Sequence, residues 1–236
     1  MTMASAVRET PLLVHDEWLL TAHRAAVHVP TATAVIADLH LGYNRVRRRI
    51  GEAVPTSDPA ELIHGIRLLC QQEGIRRLVI AGDLCEDGRD PGPLGELFAA
   101  LAPQTIEMLG IIPGNHDRQL AKTSTGLPLL PDGLKLGRWH IMHGDAPRAR
   151  GYVVQGHVHP CLRWAGVAAP CFLVGPRRLI LPAFSTDAAG GNVLRRREWL
   201  TYRCAVIAGG KVLDFGPIAG LRQRLSVQDG KRKRGP

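Results

Sequence analysis

Five short polar blocks interrupt apolar stretches between residues 38 and 159 of this 236-residue chain. Carboxylate and amide oxygens combined with imidazole nitrogens are the donors that suit divalent Mn, Fe or Zn. The residue types therefore indicate metal-assisted chemistry. The blocks are Asp38-Leu39-His40, Gly82-Asp83, Gly114-Asn115-His116-Asp117, His143-Gly144-Asp145 and Gly156-His157-Val158-His159.

Hydrolysis of a phosphate ester is the reaction that such a donor set would assist. The ester is an anion that repels hydroxide, and two cations about 3.5–4 Å apart can hold its oxygens, acidify a bridging water and stabilise the leaving oxygen. Asp83 is the natural carboxylate to bridge the two ions. Asn115 supplies an amide oxygen that adds no negative charge near the phosphate.

The spacing within the blocks divides the donors between two ions. Asp38 and His40 are one residue apart, so both can reach one metal, whereas His157 and His159 can serve different metals. His116 follows Asn115 and is a candidate acid or transition-state stabiliser. Asp117 is expected to orient the His116 imidazole, as a carboxylate behind a catalytic histidine often does.

Each polar block follows an apolar run that has the character of a buried strand. Open α/β sheets place their sites beyond the carboxyl ends of the strands, so five strands lying side by side would bring the blocks to one rim. The glycines would let the backbone turn sharply there and approach a ligand closely. The five runs are Thr33–Ala37, Leu78–Ala81, Met108–Pro113, Trp139–Met142 and Tyr152–Gln155.

The remaining pattern predicts helices early in the chain and strands late in it. Residues 57–73 form a predicted helix, capped by Ser57 or Asp58 and ended by Gly74, and residues 94–101 form a shorter one. A second, largely antiparallel sheet is expected after His159, which gives a layered α/β sandwich with outer helices. The short strands expected outside the five runs are 18–21, 25–29, 161–164, 171–174, 178–181, 202–208 and 212–215.

Composition indicates the cellular location and the domain organisation of the protein. No apolar run has the length of a membrane helix or the character of a signal peptide, so a cytoplasmic protein without membrane contact is expected. The five cysteines are scattered without CxxC spacing, which argues against a disulfide framework or a thiolate zinc site. We expect one domain over residues 1–225, followed by a basic, disordered tail over residues 226–236.

The excess of basic residues leaves two interpretations open. A net charge of +9 favours polyanions, but it is equally compatible with a solvated, arginine-rich surface. Arg45–Arg49 could grip a substrate phosphate or form the exposed face of a short helix. Aromatic residues make up only 5% of the chain, which argues against a dedicated single-strand groove.

The ordered blocks DxH, GD, GNH[DE], HGD and GHxH resemble the calcineurin-like metallophosphoesterase superfamily. The resemblance implies an α/β (α+β) fold, a four-layer αββα sandwich of two mixed sheets flanked by helices. It also implies two divalent ions, with Mn favoured and Fe, Zn or Ni as alternatives, and it places His116 by the leaving group. One ion would be held by Asp38, His40, Asp83 and His159, and the other by Asp83, Asn115, His143 and His157.

A narrower resemblance covers residues 27–193 through ADLHLGY, GDL, PGNHD, GHVHP and PRRLILPAFS. These stretches look like the bacterial DNA-ligase-associated phosphoesterases, the PdeM-like group related to the SbcD nuclease core. The resemblance implies a DNA endonuclease or exonuclease in repair, linked to a ligase and a helicase. HGD at His143 and the unmatched segment after Gly191 depart from the group and leave the substrate in doubt.

Two alternatives therefore stay open. One is hydrolysis of a small phosphoester such as a cyclic nucleotide or a nucleotide pyrophosphate, because this fold hosts many substrates. The other is a non-catalytic metal-binding scaffold, although no ligand position or acid histidine is missing from the blocks. The oligomeric state, a dimer included, is not determined by the sequence.

Overall fold

The computed structural model describes residues 11–54, 59–72, 74–86, 92–101, 106–117, 126–145, 150–188 and 190–232. Within these residues the chain forms a six-stranded and a nine-stranded sheet. The six strands of the first sheet lie in chain order, antiparallel from β1 to β4 and parallel from β4 to β6. They are β1 Leu12–Val14, β2 Trp18–Leu20, β3 Ala26–His28, β4 Thr33–Ala37, β5 Arg77–Ala81 and β6 Glu107–Ile112.

The helices between these strands cover the outer face of the first sheet. Ile63, Ile66 and Leu69 form the buried stripe of α2, and Leu97 of α3 joins the same cluster. Helix α2 ends at Cys70, three residues earlier than predicted, and Gly74 beyond it has φ +85°, a left-handed conformation that suits glycine. The predicted caps Ser57 and Asp58 lie outside the described residues. The helices are α1 Tyr43–Arg49, α2 Pro59–Cys70 and α3 Gly92–Leu101.

The second sheet is largely antiparallel, as predicted, but three of its strand pairs are parallel. β8 and β12 both pair in parallel with β9, and β13 pairs in parallel with β10. The order is β13-β10-β11-β12-β9-β8-β7, with β14 joining β11 and β15 joining β14. The strands are β7 Leu134–Leu136, β8 Trp139–Met142, β9 Tyr152–Gln155, β10 Pro160–Trp164, β11 Val167–Gly175, β12 Arg178–Ile180, β13 Gly191–Asn192, β14 Arg203–Ala208 and β15 Lys211–Pro217.

Three buried clusters stack the layers. Alternate residues of β4 and β5 point to opposite faces, so Ile36 and Ile80 pack under the helices while Val35 and Val79 face the second sheet. Trp18, Trp139 and Phe172 fill the space between the two sheets. A third cluster joins the second sheet to the final helix, α4 Ile218–Arg232. The predicted four-layer αββα sandwich is confirmed.

Helix α4 corrects the expected tail. The predicted boundary at residue 225 falls inside this helix, and residues 226–232 are helical rather than disordered. Ile218 and Leu221 are buried against the second sheet, and Leu225 packs beside them. This packing stabilises the first turns of the helix, to which later residues add at lower cost. Residues 233–236 lie outside the described residues. No described helix is long and apolar enough to cross a membrane.

Candidate metal centre

The predicted strand-end blocks come from two sheets rather than one. The DxH, GD and GNHD blocks follow β4, β5 and β6 of the first sheet, while HGD and GHxH follow β8 and β9 of the second. The expectation of five strands side by side is therefore wrong in that respect. The blocks still meet, because the two sheets pack face to face and these strand ends lie at one common edge.

The turn after β4 is held in an unusual conformation beside the turn after β5. Asp38 and His40 have φ +56° and +45°, and Asp83 has φ +41°. The amide of Asp38 donates to the carbonyl of Gly82 at 3.1 Å, and that of His40 to the carbonyl of Asp83 at 2.9 Å. These hydrogen bonds keep the two turns side by side and compensate for left-handed conformations that non-glycine residues rarely adopt.

The turn after β9 repeats this pattern. His157 and His159 have φ +66° and +46°, so both members of the GHxH pair are left-handed, as in the DxH pair. The amide of His157 donates to Oδ2 of Asp38 at 2.8 Å, which joins the turns of the two sheets directly. Five of the ten non-glycine residues with positive φ in the described part of the chain are therefore predicted ligands, and strain of this kind is common at functional sites.

The first group of donors consists of Asp38, His40, Asp83 and His159, whose ligand atoms all lie within 4.8 Å of one another. Nε2 of His40 and Nε2 of His159 are 3.3 Å apart, and Nε2 of His159 is 3.4 Å from Oδ2 of Asp38. Two ligands of a tetrahedral ion bound at about 2.1 Å stand about 3.4 Å apart. The spacing therefore fits one small divalent cation.

The second group consists of Asp83, His143 and His157, with the Asn115 amide beside them. Nε2 of His143 lies 3.1 Å from Nδ1 of His157 and 3.1 Å from Oδ1 of Asn115. Asp83 belongs to both groups, since its Oδ2 is 3.9 Å from Nε2 of His40 and 3.4 Å from Nε2 of His143. A carboxylate in this position can bridge two ions.

Two buried atoms of these groups, Oδ1 of Asp38 and Nδ1 of His143, make no hydrogen bond among the described residues, but they lie 3.4 Å apart and form an ion pair when His143 is protonated. A carboxylate beside Nδ1 leaves Nε2 of His143, which lies 3.4 Å from Oδ2 of Asp83, available to a metal. Together with the shared carboxylate and the ligand-like spacings, this arrangement shows that the donor set fits a pair of cations.

Two motif glycines are required by close packing at this edge. A Cβ on Gly82 would overlap the His143 imidazole, and Gly82 also has φ +85°. A Cβ on Gly114 would overlap the Asp83 carboxylate. The glycines of the GD and GNHD blocks therefore provide the room in which the ligand side chains lie.

The electrostatic field of the site favours positive charge. Burial alone would raise the pKa of Asp83, but the His143 side chain and the His116 amide outweigh it and hold the pKa at about 2. Burial alone would lower the pKa of His40, but hydrogen bonding to Glu86 and the charge of Asp83 raise it. An ionised carboxylate surrounded by imidazoles provides both the negative charge and the donor atoms that bind a metal cation.

His116 lies at the open side of the site. Its side chain is exposed, and its amide donates to Oδ1 of Asp83 at 3.0 Å. The hydrogen bonds found for Asp117 among the described residues go to other groups, and its predicted orienting role stays a prediction. The buried Asp117 carboxylate accepts backbone hydrogen bonds from Leu84 at 3.0 Å, Cys85 at 3.2 Å and Gly114 at 2.9 Å. It fixes the GD and GNHD turns to each other.

Glu86 is the functional residue that sequence reasoning missed. Its Oε2 is 2.7 Å from Nδ1 of His40 and 3.6 Å from Nδ1 of His116. A carboxylate on Nδ1 fixes the tautomer of His40 and leaves Nε2 available to a metal. An acidic residue three positions after Asp83 could have raised this possibility, but the prediction ended at the GD pair.

A loop from the second sheet supports the DxH turn. The amide of Phe184 donates to the carbonyl of Ala37 at 2.7 Å, and that of Ser185 to the carbonyl of Asp38 at 3.3 Å. Nη1 of Arg24 lies 3.2, 3.3 and 2.7 Å from the carbonyl oxygens of Ala183, Phe184 and Ser185, respectively. One guanidinium thus ties the turn between β2 and β3 to this loop.

Two cavities flank the donor groups. A cavity of about 390 Å³ adjoins His40 and is bounded by α1, α2 and the loop at Phe184. A second one of about 760 Å³ adjoins His157. Arg45 and Arg48 of α1 line the first cavity, whereas Arg47 pairs with Glu52, so this basic segment is both a short helix and part of a cavity wall.

Paired donor groups that share a carboxylate at the strand ends of an αββα sandwich are the features of a metal-dependent phosphoesterase. The sequence model of the family described as Calcineurin-like phosphoesterase matches residues 32–164, more than half of the chain. The chain belongs to the calcineurin-like phosphoesterase family. It is accordingly a hydrolase that uses divalent metal.

One solved structure shares this fold over most of its length, and two others show a weaker similarity. The chain is similar to the Pseudomonas putida nuclease MPE, with a TM-score of 0.71, 21% identity, and coverage of 87% of this chain and 99% of that one. A protein of unknown function from Aquifex aeolicus, AQ665, gives a TM-score of 0.38 at 16% identity, with coverage of 54% and 78%. Chaetomium thermophilum Vps29 gives 0.33 at 14%, with coverage of 74% and 85%. No curated protein sequence matches the chain.

Proposed function

We propose that this protein is a dinuclear-metal phosphodiesterase that cleaves DNA. The observation that carries the proposal is the position of Asp83, which belongs to both donor groups. One ion would be held by Asp38, His40, Asp83 and His159, and the other by Asp83, Asn115, His143 and His157. Residues 38–159 supply all seven side chains, and each follows a strand end.

The bound ions would supply Lewis-acid stabilisation of the phosphate and a water acidified for in-line attack. The protein's own residues position these partners. The exposed His116 imidazole is placed to donate a proton to the leaving oxygen, and Glu86 lies near enough to orient it. The Asp117 carboxylate keeps the turns that carry Asp83 and Asn115 in register.

We propose manganese as the native metal. The donors are four imidazoles, two carboxylates and one amide, a set without thiolate that suits Mn and would also accept Fe, Zn or Ni. Elemental analysis of the purified protein should find about two metal ions per chain. Chelation should abolish turnover, and Mn²⁺ should restore it best among the four metals. Restoration by Zn²⁺ alone would reject the manganese assignment.

Charge supports nucleic acid as the substrate. The net charge of +9 attracts polyanions, and arginines line both cavities beside the donor groups. The similar protein from Pseudomonas putida is named a nuclease, which agrees with this proposal. The motif resemblance further supports a repair role with a ligase and a helicase, in the cytoplasm. Copurification of either enzyme with a tagged copy of this protein would test that link.

A small phosphoester is the second candidate, and one observation favours it. The 390 Å³ cavity beside His40 falls within the usual size range of small-molecule sites, and its floor includes the apolar residues Leu39, Leu62 and Phe184. A cyclic nucleotide or a nucleotide pyrophosphate could place its base there. Turnover of such compounds with no cleavage of DNA would make this the correct function.

A substrate panel with two variants tests the proposal. The protein should hydrolyse bis-p-nitrophenyl phosphate and DNA in Mn²⁺, and p-nitrophenyl phosphate poorly. Asp83→Asn and His116→Ala should stay folded and lose at least about 100-fold in turnover, because each removes a group that stabilises the transition state. Full activity of either variant would contradict the assigned roles, and hydrolysis of monoesters alone would contradict the nuclease.

A further inference from the structure

The cavity beside His157 combines positive charge with aromatic rings. Arg178, Arg196, Trp199 and Tyr202 line it, and we call these four residues the His157 groove. The groove begins at the donor groups, since His157 belongs to the second of them. Its volume of about 760 Å³ exceeds that of the cavity on the His40 side.

The two arginines of the groove are held in different ways. Nη1 of Arg178 donates to Oε1 of Gln155 at 2.8 Å, so this half-buried guanidinium is fixed in the wall. Arg196 is exposed at the rim, with its Cζ 5.7 Å from the Trp199 ring centre. Glu198 lies 3.6 Å from Arg196 and offsets part of its charge. The groove therefore keeps a net positive lining.

The aromatic residues give the groove a rigid wall. Trp199 is buried at the end of a 3-10 helix, Arg197–Trp199. The half-buried Tyr202 ring lies against Gly175, where a Cβ would be too close to it. Guanidinium groups and aromatic rings together are the surface on which single-stranded nucleic acid binds, since phosphates pair with the former and unstacked bases with the latter.

The cavity on the other side of the site is less suited to a polyanion. Glu61, Glu96 and Asp187 line it together with its arginines, whereas Glu198 is the one carboxylate among the described residues that line the larger cavity. Carboxylates near a nucleic-acid backbone repel its phosphates. The charge distribution thus favours the His157 side as the path of an extended strand.

We propose that the His157 groove binds a single strand of nucleic acid as it leaves the scissile phosphate. This inference rests on the proposed function, because it assumes that a diester of that strand lies at the paired donor groups. Arg178 and Arg196 pair with the phosphates next to the scissile one, and Tyr202 contacts a base. The low aromatic content of the chain argued against such a groove, but the base contact proposed here requires only the Tyr202 ring, which the buried Trp199 supports from the wall.

Binding of a fluorescein-labelled 12-nucleotide DNA strand, measured by anisotropy with chelator present so that the strand is not cut, tests the groove. Arg196→Ala should raise Kd about tenfold and Tyr202→Leu by a similar factor. The slope of log Kd against log salt should fall by about 0.7 for each arginine removed. Arg76→Ala is the control with the same charge change, because the exposed Arg76 lies at the opposite end of the strands.

Four outcomes separate the two proposals. Weaker DNA binding with kcat/KM for bis-p-nitrophenyl phosphate within about twofold of wild type supports the groove. If the protein cleaves DNA but Kd is unchanged in both Arg196→Ala and Arg178→Ala, the groove does not bind the strand. The proposed function is then unaffected. Preference for duplex over single strand also overturns the groove. If the wild-type protein with Mn²⁺ hydrolyses no diester at all, the proposed function itself is wrong.

Discussion

The two ends of the parallel strands β4, β5 and β6 are built differently. At the amino ends polar groups are satisfied: Arg77 donates to the carbonyl of Thr31 at 2.7 Å, and Thr33 donates to the same carbonyl at 3.2 Å. At the carboxyl ends Asp38 and Asp83 are left-handed and buried close together, and Oδ1 of Asp38 lies 3.4 Å from Nδ1 of His143 without a hydrogen bond. The amino edge of these strands is thus closed by hydrogen bonds within the protein, whereas the carboxyl edge gathers buried charged groups that a cation can bind.

Among the described residues, the left-handed non-glycine positions next to β4 and β5 are Asp38, His40 and Asp83 at the carboxyl edge and Ala32 at the amino edge, so most of this strain lies at the carboxyl edge. Left-handed non-glycine residues cost about 1–3 kcal/mol each and persist only where the surroundings enforce them. Here the surroundings are the paired turns and the Phe184 loop, all at the carboxyl edge. Substitutions at that edge should therefore impair activity, and equivalent substitutions at the amino edge should affect stability alone.

The largest effect is expected from Gly82→Ala, with Gly74→Ala as its matched control. Both glycines have φ +85°, but a Cβ on Gly82 overlaps His143, whereas none of the atoms described lies within 4 Å of a Cβ on Gly74. Displacement of His143 should lower kcat/KM for bis-p-nitrophenyl phosphate by at least about 100-fold. Gly74→Ala should keep wild-type turnover and lose about 1 kcal/mol of unfolding free energy. Equal turnover in both variants would contradict the claim that the carboxyl edge, and not the amino edge, determines activity.

Glu86→Gln should have the next largest effect. Glutamine keeps the size of the side chain but removes the charge that orients His40, and such partners of ligating histidines are worth about 10- to 100-fold in metal affinity or activity. Metal titration of the chelated protein should show weaker binding of one ion. The exposed Glu107→Gln, at the amino end of β6, should bind metal as the wild type does. Unchanged affinity in Glu86→Gln would mean that the contact is incidental.

Asp117→Ala should reduce turnover less than Glu86→Gln does, and it should lower the free energy of unfolding more. The change leaves the amides of Leu84, Cys85 and Gly114 without an acceptor, at about 1 kcal/mol or more each. Urea denaturation should therefore show a loss of about 3 kcal/mol, with turnover down about tenfold because the turns loosen. A variant that is fully stable but inactive would support the role of Asp117 as the partner of His116.

The smallest effect on activity is expected from Arg77→Ala. The side chain donates to the Thr31 carbonyl through Nε and Nη2 at 3.2 and 2.7 Å, at the edge remote from the donor groups. Loss of these bonds should lower the unfolding free energy by about 1–2 kcal/mol. Turnover should remain within about twofold of wild type. A larger loss of turnover would show that the two edges are coupled.

The sequence predicted the strand ends well because the cue is local. Central parallel strands are buried on both faces and appear as unbroken apolar runs, so Asp38 and Asp83 stand out directly behind β4 and β5. The same locality explains the misplacement of β8 and β9. Their apolar runs look like those of the first sheet, and the pairing of β9 with β12 joins segments that no local pattern connects.

Side-chain direction was the second limit of the sequence. His116 and Asp117 are neighbours, yet one faces solvent and the other turns inward to backbone amides. Glu86 finds its partner His40 in a different turn, 46 residues away. Helix α4 was missed because Gly220 and Gly230 lower its intrinsic helix propensity. Packing of Ile218 and Leu221 against the second sheet stabilises it instead.

The hydrogen bond from Ser185 to Asp38 has a consequence for biosynthesis. A chain emerging from the ribosome exposes Asp38, Asp83 and Asn115 long before the histidines of the second sheet, and the loop that steadies the Asp38 turn comes later still. During that interval the carboxylates form an incomplete chelate with too few donors to hold a cation firmly. Metal loading must therefore follow synthesis of most of the polypeptide.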